Sequence, residues 1–404
     1  MSDLGQYLTF SNGKSSPERN DLGNYAVFGS NGIIGYCNNS NSGSETIVIG
    51  RVGSYCGSVH FSEKSCWVTD NAIIAQSKIK EESRFWFYYL TFLNLNNMRT
   101  GSGQPLLNQS ILKSIKINVP ENSSDRIKIG KSLYQFDKKI QLNTQINQTL
   151  EQIAQGIFKS WFVDFDPVRA KADALAQGKT QAEAELAAMQ IISGKTPEEL
   201  TSLSQTHPAQ YAELAEIAKA FPSEFEEVEG FGKVPRGWEV KRIDDVIQKI
   251  PVPPPSFSPP SLSQGDIPIL DQGRSGIIGY HNNEAGVKAS IEEPVIVFAN
   301  HTCYMRLISY DFSAIQNIFT FKGKELNIYW TYLATLGKQE FVEYKGHFPD
   351  FLIKEIIVPN PKLTESFGKI VKENFSKIFL NDLENSYLSE IRDLLLPRLL
   401  SGEI

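Results

Sequence analysis

The chain has 404 residues, enough for two or three domains at about 100–200 residues each. Apolar residues make up 41% and aromatics 11%, which excludes wholesale disorder, and near-average glycine (29) and proline (20) exclude a fibrous protein. The net charge of −6 argues on its face against nucleic acid, but its distribution removes that objection: Asp166 to Gly230 holds twelve acidic and five basic residues, a net of −7, which leaves the rest at +1.

From the N-terminus, MSDLGQYLTFSNGK has no basic segment followed by an apolar one, so no secretory signal is predicted. No apolar run reaches the roughly 18 residues of a membrane span, and the cytoplasm is the default compartment. Cys37, Cys56, Cys66 and Cys303 form no disulfide framework, and without a C-x-x-C pair no structural zinc site is expected. Asn12-Gly13 and Asn31-Gly32 mark turns, and Thr46–Ile49 is a short apolar run that reads as a buried strand. An aromatic, helix-like run follows at Phe85–Leu93, and Ile117-Asn-Val-Pro120 closes the first globule. Beyond it Leu133, Phe136, Ile140, Ile146, Leu150, Ile153 and Ile157 recur at spacings of three and four, with one slip near Asn143. This predicts a long amphipathic helix with a coiled-coil-like seam. The acidic, alanine-rich stretch comes next and reads as a solvated helical spacer. Pro294–Phe298 is again strand-like, and Ile250–Pro255 and Ser258–Pro260 are loop or edge material.

The chain repeats itself once. Gly32-Ile-Ile-Gly-Tyr36 returns as Gly276-Ile-Ile-Gly-Tyr280, and Asn38-Asn39 as Asn282-Asn283. Glu45–Ile49 matches Glu293–Val297, Asn71 matches Asn317, Phe85–Leu93 matches Ile328–Leu336, and Ile117–Pro120 matches Ile356–Pro359. The order is kept and the offset drifts only slightly, which marks a structural duplication. A second helical pattern follows: Phe367, Val371, Phe375, Ile378, Phe379, Leu383, Tyr387, Ile391 and Leu395. The expected layout is a globule at 1–120, a long helix at 121–165, an acidic helical spacer at 166–230, a second globule at 231–361 and a second long helix at 362–404. The expected class is α+β: two repeated mixed globules joined by two long antiparallel coiled-coil helices. About 35 residues of helix give a rod of roughly 50 Å.

Catalytic motifs are missing from the sequence. Three Gly-Lys-Ser/Thr fragments place Leu8, Asp173 and Met189 where a phosphate-binding loop needs its first glycine. The nearest match to the Asn/Asp-Pro-Pro-aromatic tetrapeptide of an amino-methyltransferase is Ser258-Pro-Pro-Ser261, without amide or aromatic ring. Glu343-Tyr-Lys345 precedes Pro349-Asp350, the reverse of the nuclease order. Asp164-Phe-Asp166 has no histidine or metal cluster beside it and reads as structural.

This layout resembles the specificity subunit of type I restriction–modification systems. Val234-Pro-Arg-Gly-Trp-Glu-Val240 looks like the segment that opens a target-recognition domain of that family, and Gly101–Pro105 resembles the polar loop before the domain's last strand. Ile153–Arg169 is similar to the family's central region and Leu395–Ile404 to its distal one. The first globule departs from the pattern: it lacks the Val-Pro-x-Gly-Trp opening and starts near the equivalent of Ile243. The resemblance implies a subunit with no catalysis of its own, whose globules are target-recognition domains each reading one half of a bipartite, asymmetric sequence in double-stranded DNA. It implies that the helices set the spacing, about one and a half turns of DNA for a rod of that length. Its implied partners are two methyltransferase subunits and motor–nuclease subunits, which carry S-adenosylmethionine, ATP and Mg; this chain would hold no cofactor or metal. Phe158, Trp161 and Phe162 at the first helix end are candidates for docking the methyltransferases. A stand-alone nuclease or methyltransferase, which would act without partners, and a non-nucleic-acid scaffold, whose binding would ignore salt, are the alternatives.

Bases are read by Arg/Lys on guanine and Asn/Gln on adenine, and phosphates by Lys/Arg, Ser/Thr and free amides. The loop residues of these types are Asn12, Lys14, Ser30, Asn31, Arg51, Arg99, Ser102 and Gln104 in the first globule. In the second they are Gln272, Arg274, Ser275, Asn300, His301, Lys345 and His347. Matched positions differ, Ser30-Asn31 against Arg274-Ser275, as two different half-sites require.

Overall fold

The computed structural model describes residues 1–98, 106–253, 262, 265–273, 276–343 and 345–403. The chain forms two compact units, Met1–Thr144 with Asp382–Ile404, and Gln145–Asn381. Among the described residues no helix is long and apolar enough to cross a membrane.

The first unit contains β1 (Ser2–Asp3), β2 (Leu8–Asn12), β3 (Tyr25–Gly29), β4 (Gly32–Cys37), β5 (Thr46–Gly50), β6 (Val59–Ser62), β7 (Trp67–Val68) and β8 (Ala72–Ser77). Then come α1 (Ser83–Phe92), α2 (Gln109–Ser114), β9 (Lys116–Ile117) and the start of α3 (Ser123–Phe162). An antiparallel sheet runs β2-β8-β5-β6, a smaller one β4-β3-β7, and β1 pairs with β9. Every residue of β5 is buried. Ile47 and Ile49 pack with Phe85 and Trp86 of α1, while Val48 packs with Phe28 and Val68 of the small sheet. A strand covered on both faces shows no polar alternation, which is why Thr46–Ile49 reads as an unbroken apolar run.

The second unit holds the rest of α3 and then α4 (Asp166–Ala176), α5 (Gln181–Ser193), α6 (Pro197–Thr206) and α7 (Pro208–Ala220). Capping boxes start α5 (Thr180 with Glu183) and α6 (Thr196 with Glu199). Ala188, Met189, Leu200 and Ala218 form a small core between these helices, so the acidic stretch is a folded helical module rather than a merely solvated spacer. The strands β10 (Phe225–Val228), β11 (Gly232–Pro235), β12 (Glu239–Arg242), β13 (Ile247–Ile250), β14 (Ile267–Leu270), β15 (Ile277–His281), β16 (Val295–Ala299), β17 (Met305–Ile308), β18 (Ser313–Ala314) and β19 (Ile318–Gly323) follow, with the one-turn α8 (Ile243–Val246) after β12. The unit ends with α9 (Ile328–Thr335), α10 (Phe348–Leu352), β20 (Glu355–Val358) and most of α11 (Pro361–Ser401).

Its sheets run β13-β19-β16-β17 and β15-β14-β18, with β12 on β20. These repeat the sheets of the first unit strand for strand, and the β10–β11 hairpin is additional. The registers correct two details of the sequence match. Ile47 pairs with Ala75 as Ile296 pairs with Phe321, so Ile47 corresponds to Ile296 and not to Val295. Ser2 pairs with Ile117 as Lys241 pairs with Ile356, so Met1 corresponds to Val240 rather than to Ile243.

The helices α3 and α11 have 40 and 41 residues, about 60 Å each rather than 50 Å. They pair antiparallel within each unit. In the first, Arg392 bonds Asp137 at 2.5 Å and Asn143 bonds Glu384 at 2.7 Å; in the second, Asn381 donates to Asn147 at 2.8 Å and Phe162 meets Phe367 at 5.4 Å. Asn143 is buried in this seam, so the slip in the apolar spacing marks a polar layer, a device that fixes helix register.

Two glycines in α3 have opposite surroundings. A Cβ on Gly130 would come within 2.5 Å of the Phe85 backbone nitrogen, whereas one on Gly156 would meet nothing within 4 Å. Alanine gains about 1 kcal/mol of helix propensity at either site, but overpacking costs about 1–3 kcal/mol. Thermal unfolding is therefore expected to show Gly156→Ala stabilised by up to about 1 kcal/mol and Gly130→Ala destabilised.

Candidate nucleic-acid interface

In the first unit one turn, Thr69–Ala72, gathers the candidates. Gly13 N donates to Ala72 O at 3.1 Å and Lys14 N to Val68 O at 3.0 Å, which brings the end of β2 against it. The Arg51 backbone N donates to Asn71 O at 2.9 Å, and its Nη1 reaches Asp70 O at 3.5 Å. Ser30 Oγ donates to the same Asn71 carbonyl at 2.5 Å. Ser30 and Asn31 form a two-residue hairpin tip between the paired Gly29 and Gly32. Gly32 has φ +86°, a left-handed backbone that glycine adopts without steric cost. Asn12, Lys14, Ser30, Asn31 and Arg51, from both sheets, thus gather around this one turn. Lys14 and Asn31 are exposed; the Asn12 and Gln109 amides meet at 3.2 Å.

The second unit keeps the frame with other side chains. The Asn300 backbone N donates to Asn317 O at 2.9 Å, as Arg51 does to Asn71. Gln272 follows β14, with its Oε1 accepting from His301 N at 2.8 Å and its carbonyl accepting from Thr302 Oγ1 at 2.7 Å. Gln272 and His301 are therefore brought together, both partly exposed. Lys345 is exposed between Glu343 at 3.4 Å and Asp350 at 3.3 Å, and hydrogen bonds and charge from Asp350, then Glu343, raise its pKa.

Two candidates are corrected. Asn300 is buried, its Oδ1 accepting from Phe348 N at 2.8 Å. His347 is fully buried, its N donating to Asn300 O at 3.0 Å and its Nε2 lying 3.0 Å from Glu343 O. Together they hold the start of α10, and neither side chain is exposed. His281, another histidine with base-contacting chemistry, is buried against Ser313 Oγ at 3.0 Å. Arg99, Ser102, Gln104, Arg274 and Ser275 lie outside the described residues. Two basic residues escaped the sequence reading because they lie within strands: His60 in β6 and Arg306 in β17. Burial lowers the His60 pKa, partly offset by a hydrogen bond that the ring donates to the Ser30 backbone carbonyl.

The docking expectation for the first helix end is also corrected. Trp161 and Phe162 are 1% and 5% exposed, and Phe158 is partly buried against the same core. Trp161 meets Phe221 at 5.3 Å, Phe162 meets Trp238 at 5.9 Å and Phe158 meets Phe367 at 5.8 Å. These rings join α3 to α11, the helical module and the second globule. They are the centre of the unit, not its surface.

The chain is 40% identical over 328 residues to the HindI specificity subunit of Haemophilus influenzae, an alignment covering 74% of this chain and 71% of that protein. The chain belongs to the type I restriction–modification specificity subunits. Residues 1–152 match the family of type I restriction modification DNA specificity domains. The MjaIX specificity subunit of Methanocaldococcus jannaschii is 24% identical over 334 residues, covering 77% of this chain and 65% of that protein. The crystal structure of the type I S subunit from M. genitalium superposes with a TM-score of 0.57 at 15% identity, covering 98% of this chain and 95% of that one, and shares the fold. A specificity subunit is the DNA-recognising, non-catalytic component of its restriction–modification complex.

Proposed function

We propose that each globule of this specificity subunit reads one half of a bipartite, asymmetric DNA site, through the strand ends gathered around Thr69–Ala72 and around Asn317. The carrying observation is the repeated frame with unlike side chains: Ser30-Asn31 between the paired Gly29 and Gly32 in one unit, and in the other Gln272 after Asp271, whose N donates to Gly276 O at 3.1 Å. A shared frame supplies the same approach to the duplex, and different side chains supply different base contacts.

Two methyltransferase subunits are the proposed partners, with motor–nuclease subunits joining them; S-adenosylmethionine, ATP and Mg reside on those subunits. The docking surface is reassigned from the buried aromatics to α11. Leu383, Tyr387, Ile391 and Leu394 recur every three or four residues and are exposed, Tyr387 at 57% and Leu394 at 64%. An apolar stripe of this kind seeks a partner helix.

The paired helices set the number of unread base pairs. A matched insertion of seven helical residues in α3 and α11 lengthens the pair by about 10 Å, close to three base pairs at ~3.4 Å each. Methylated adenines mapped after co-expression with the cognate methyltransferase are expected to show both half-sites unchanged and the gap longer by about three base pairs. An unchanged gap overturns the spacing role. In the same assay Arg51→Ala is expected to weaken one half-site alone.

A further inference from the structure

A basic side chain lies beside the hairpin glycine at the same place in both units. His60 lies opposite Val48 across β5–β6, and Arg306 lies opposite Val297 across β16–β17. Val48 and Val297 are matching positions, one residue after Ile47 and Ile296. Beside each basic residue lies a hairpin glycine with left-handed backbone, Gly32 at φ +86° and Gly276 at φ +73°. A Cβ on Gly32 would come within 3.2 Å of the His60 ring, and one on Gly276 would overlap the Arg306 guanidinium.

Both side chains are tied to the carbonyls of the tip. Arg306 Nη2 donates to Gly276 O at 3.1 Å. In the first unit Ser58 Oγ donates to Ser30 O at 2.5 Å and lies 3.2 Å from His60 Nε2. The Arg306 guanidinium also lies over the Tyr304 ring, 5.7 Å from its centroid. Among the described residues Arg306 forms no ion pair with a carboxylate, and its buried Nε has no hydrogen-bond partner.

We infer that Arg306 and His60 are positioning residues, each setting the pose of one hairpin tip and so the bases read by one half-site. This rests on the reading of the two hairpins as half-site readers. Neither residue need touch a base. Arg306 acts through the Gly276 carbonyl it holds, and His60 through Ser58, which holds the Ser30 carbonyl. A side chain at Gly276 would displace Arg306, and one at Gly32 would crowd the His60 ring.

The test uses the full chain co-expressed with its methyltransferase, with methylated adenines mapped across a genome and thermal unfolding measured in parallel. Arg306→Met is expected to lower discrimination roughly tenfold at bases of one half-site. The other half-site and the thermal midpoint stay as in the wild type. Gly276→Ala is expected to relax the same bases, and the double variant to be no worse than the worse single one, because both changes break one contact. Arg306→Lys, which keeps the charge and can still donate, is expected to restore part of the discrimination. His60→Leu is expected to act on the other half-site. Equal weakening of both half-sites with a lowered midpoint would show a merely structural role and overturn the assignment. So would a two-part motif that survives unchanged in Arg306→Met. A wild-type complex that methylates no two-part motif would overturn the half-site reading and this assignment together.

Discussion

Replacing Arg126 with methionine is expected to cost the first unit about 3–5 kcal/mol, because it strands a carboxylate in the interior. Arg126 and Glu82 are 4% and 1% exposed, and they meet through two parallel bonds, Nη2 to Oε1 at 2.8 Å and Nε to Oε2 at 3.0 Å. Arg126 Nη1 also donates to the Pro120 and Glu121 carbonyls at 2.6 and 2.8 Å, and Trp86 Nε1 donates to Glu82 at 2.9 Å. This network binds the start of α3 to α1 and the sheet. Burial alone would push the Glu82 pKa up, but the hydrogen bonds from Arg126, Ser123 and Trp86 and the Arg126 charge bring it below its usual value. A depressed carboxylate contributes stability above its unfolded pKa and loses it as pH falls through the folded one. The wild type is therefore expected to lose this contribution below about pH 4, while Arg126→Met lacks it at neutral pH. At about 2–4 °C per kcal/mol for a unit of this size, calorimetry should show a midpoint lowered by roughly 10 °C. The double variant Glu82→Leu/Arg126→Met removes the stranded charge and is expected to recover part of the loss. A single variant within about 2 °C of wild type would mean that water reaches the pair.

The duplication was legible because its most rigid pieces are also its most distinctive. Gly32 and Gly276 are demanded by backbone conformation, and the following Ile-Ile-Gly-Tyr runs keep the same pairing with β3 and β14. The register of β16 was not legible to the residue. A strand buried on both faces has no polar side to betray a one-residue slip. Polar residue types alone could not separate readers from supports. Asn300 and His347 have the chemistry to read bases, but their hydrogen-bonding groups hold α10. His60 and Arg306 went unremarked for the opposite reason. They lie inside strands, and only the sheet brings them beside a hairpin glycine that is distant in sequence.

The helix ends show the same ambiguity at larger scale, and two variants separate the outcomes. Periodicity reveals that a helix has an apolar face, not what covers it. For Trp161 the cover is internal: Phe162, Phe221 and Phe367 surround it. Trp161→Ala is therefore expected to cost the second unit about 3–5 kcal/mol, read as a lower unfolding midpoint or an insoluble chain, with partner loss only as a consequence. For the stripe on α11 nothing among the described residues buries Leu383, Tyr387, Ile391 or Leu394. Leu383→Ser/Tyr387→Ser changes exposed positions, so the midpoint should stay within about 0.5 kcal/mol per site of wild type. Co-purification of the methyltransferase should be lost. A folded Trp161→Ala chain that no longer holds its partner would return docking to α3. A stable stripe variant that still holds it would remove docking from this face of α11. The two measurements together decide which helix surface the co-expressed methyltransferase requires.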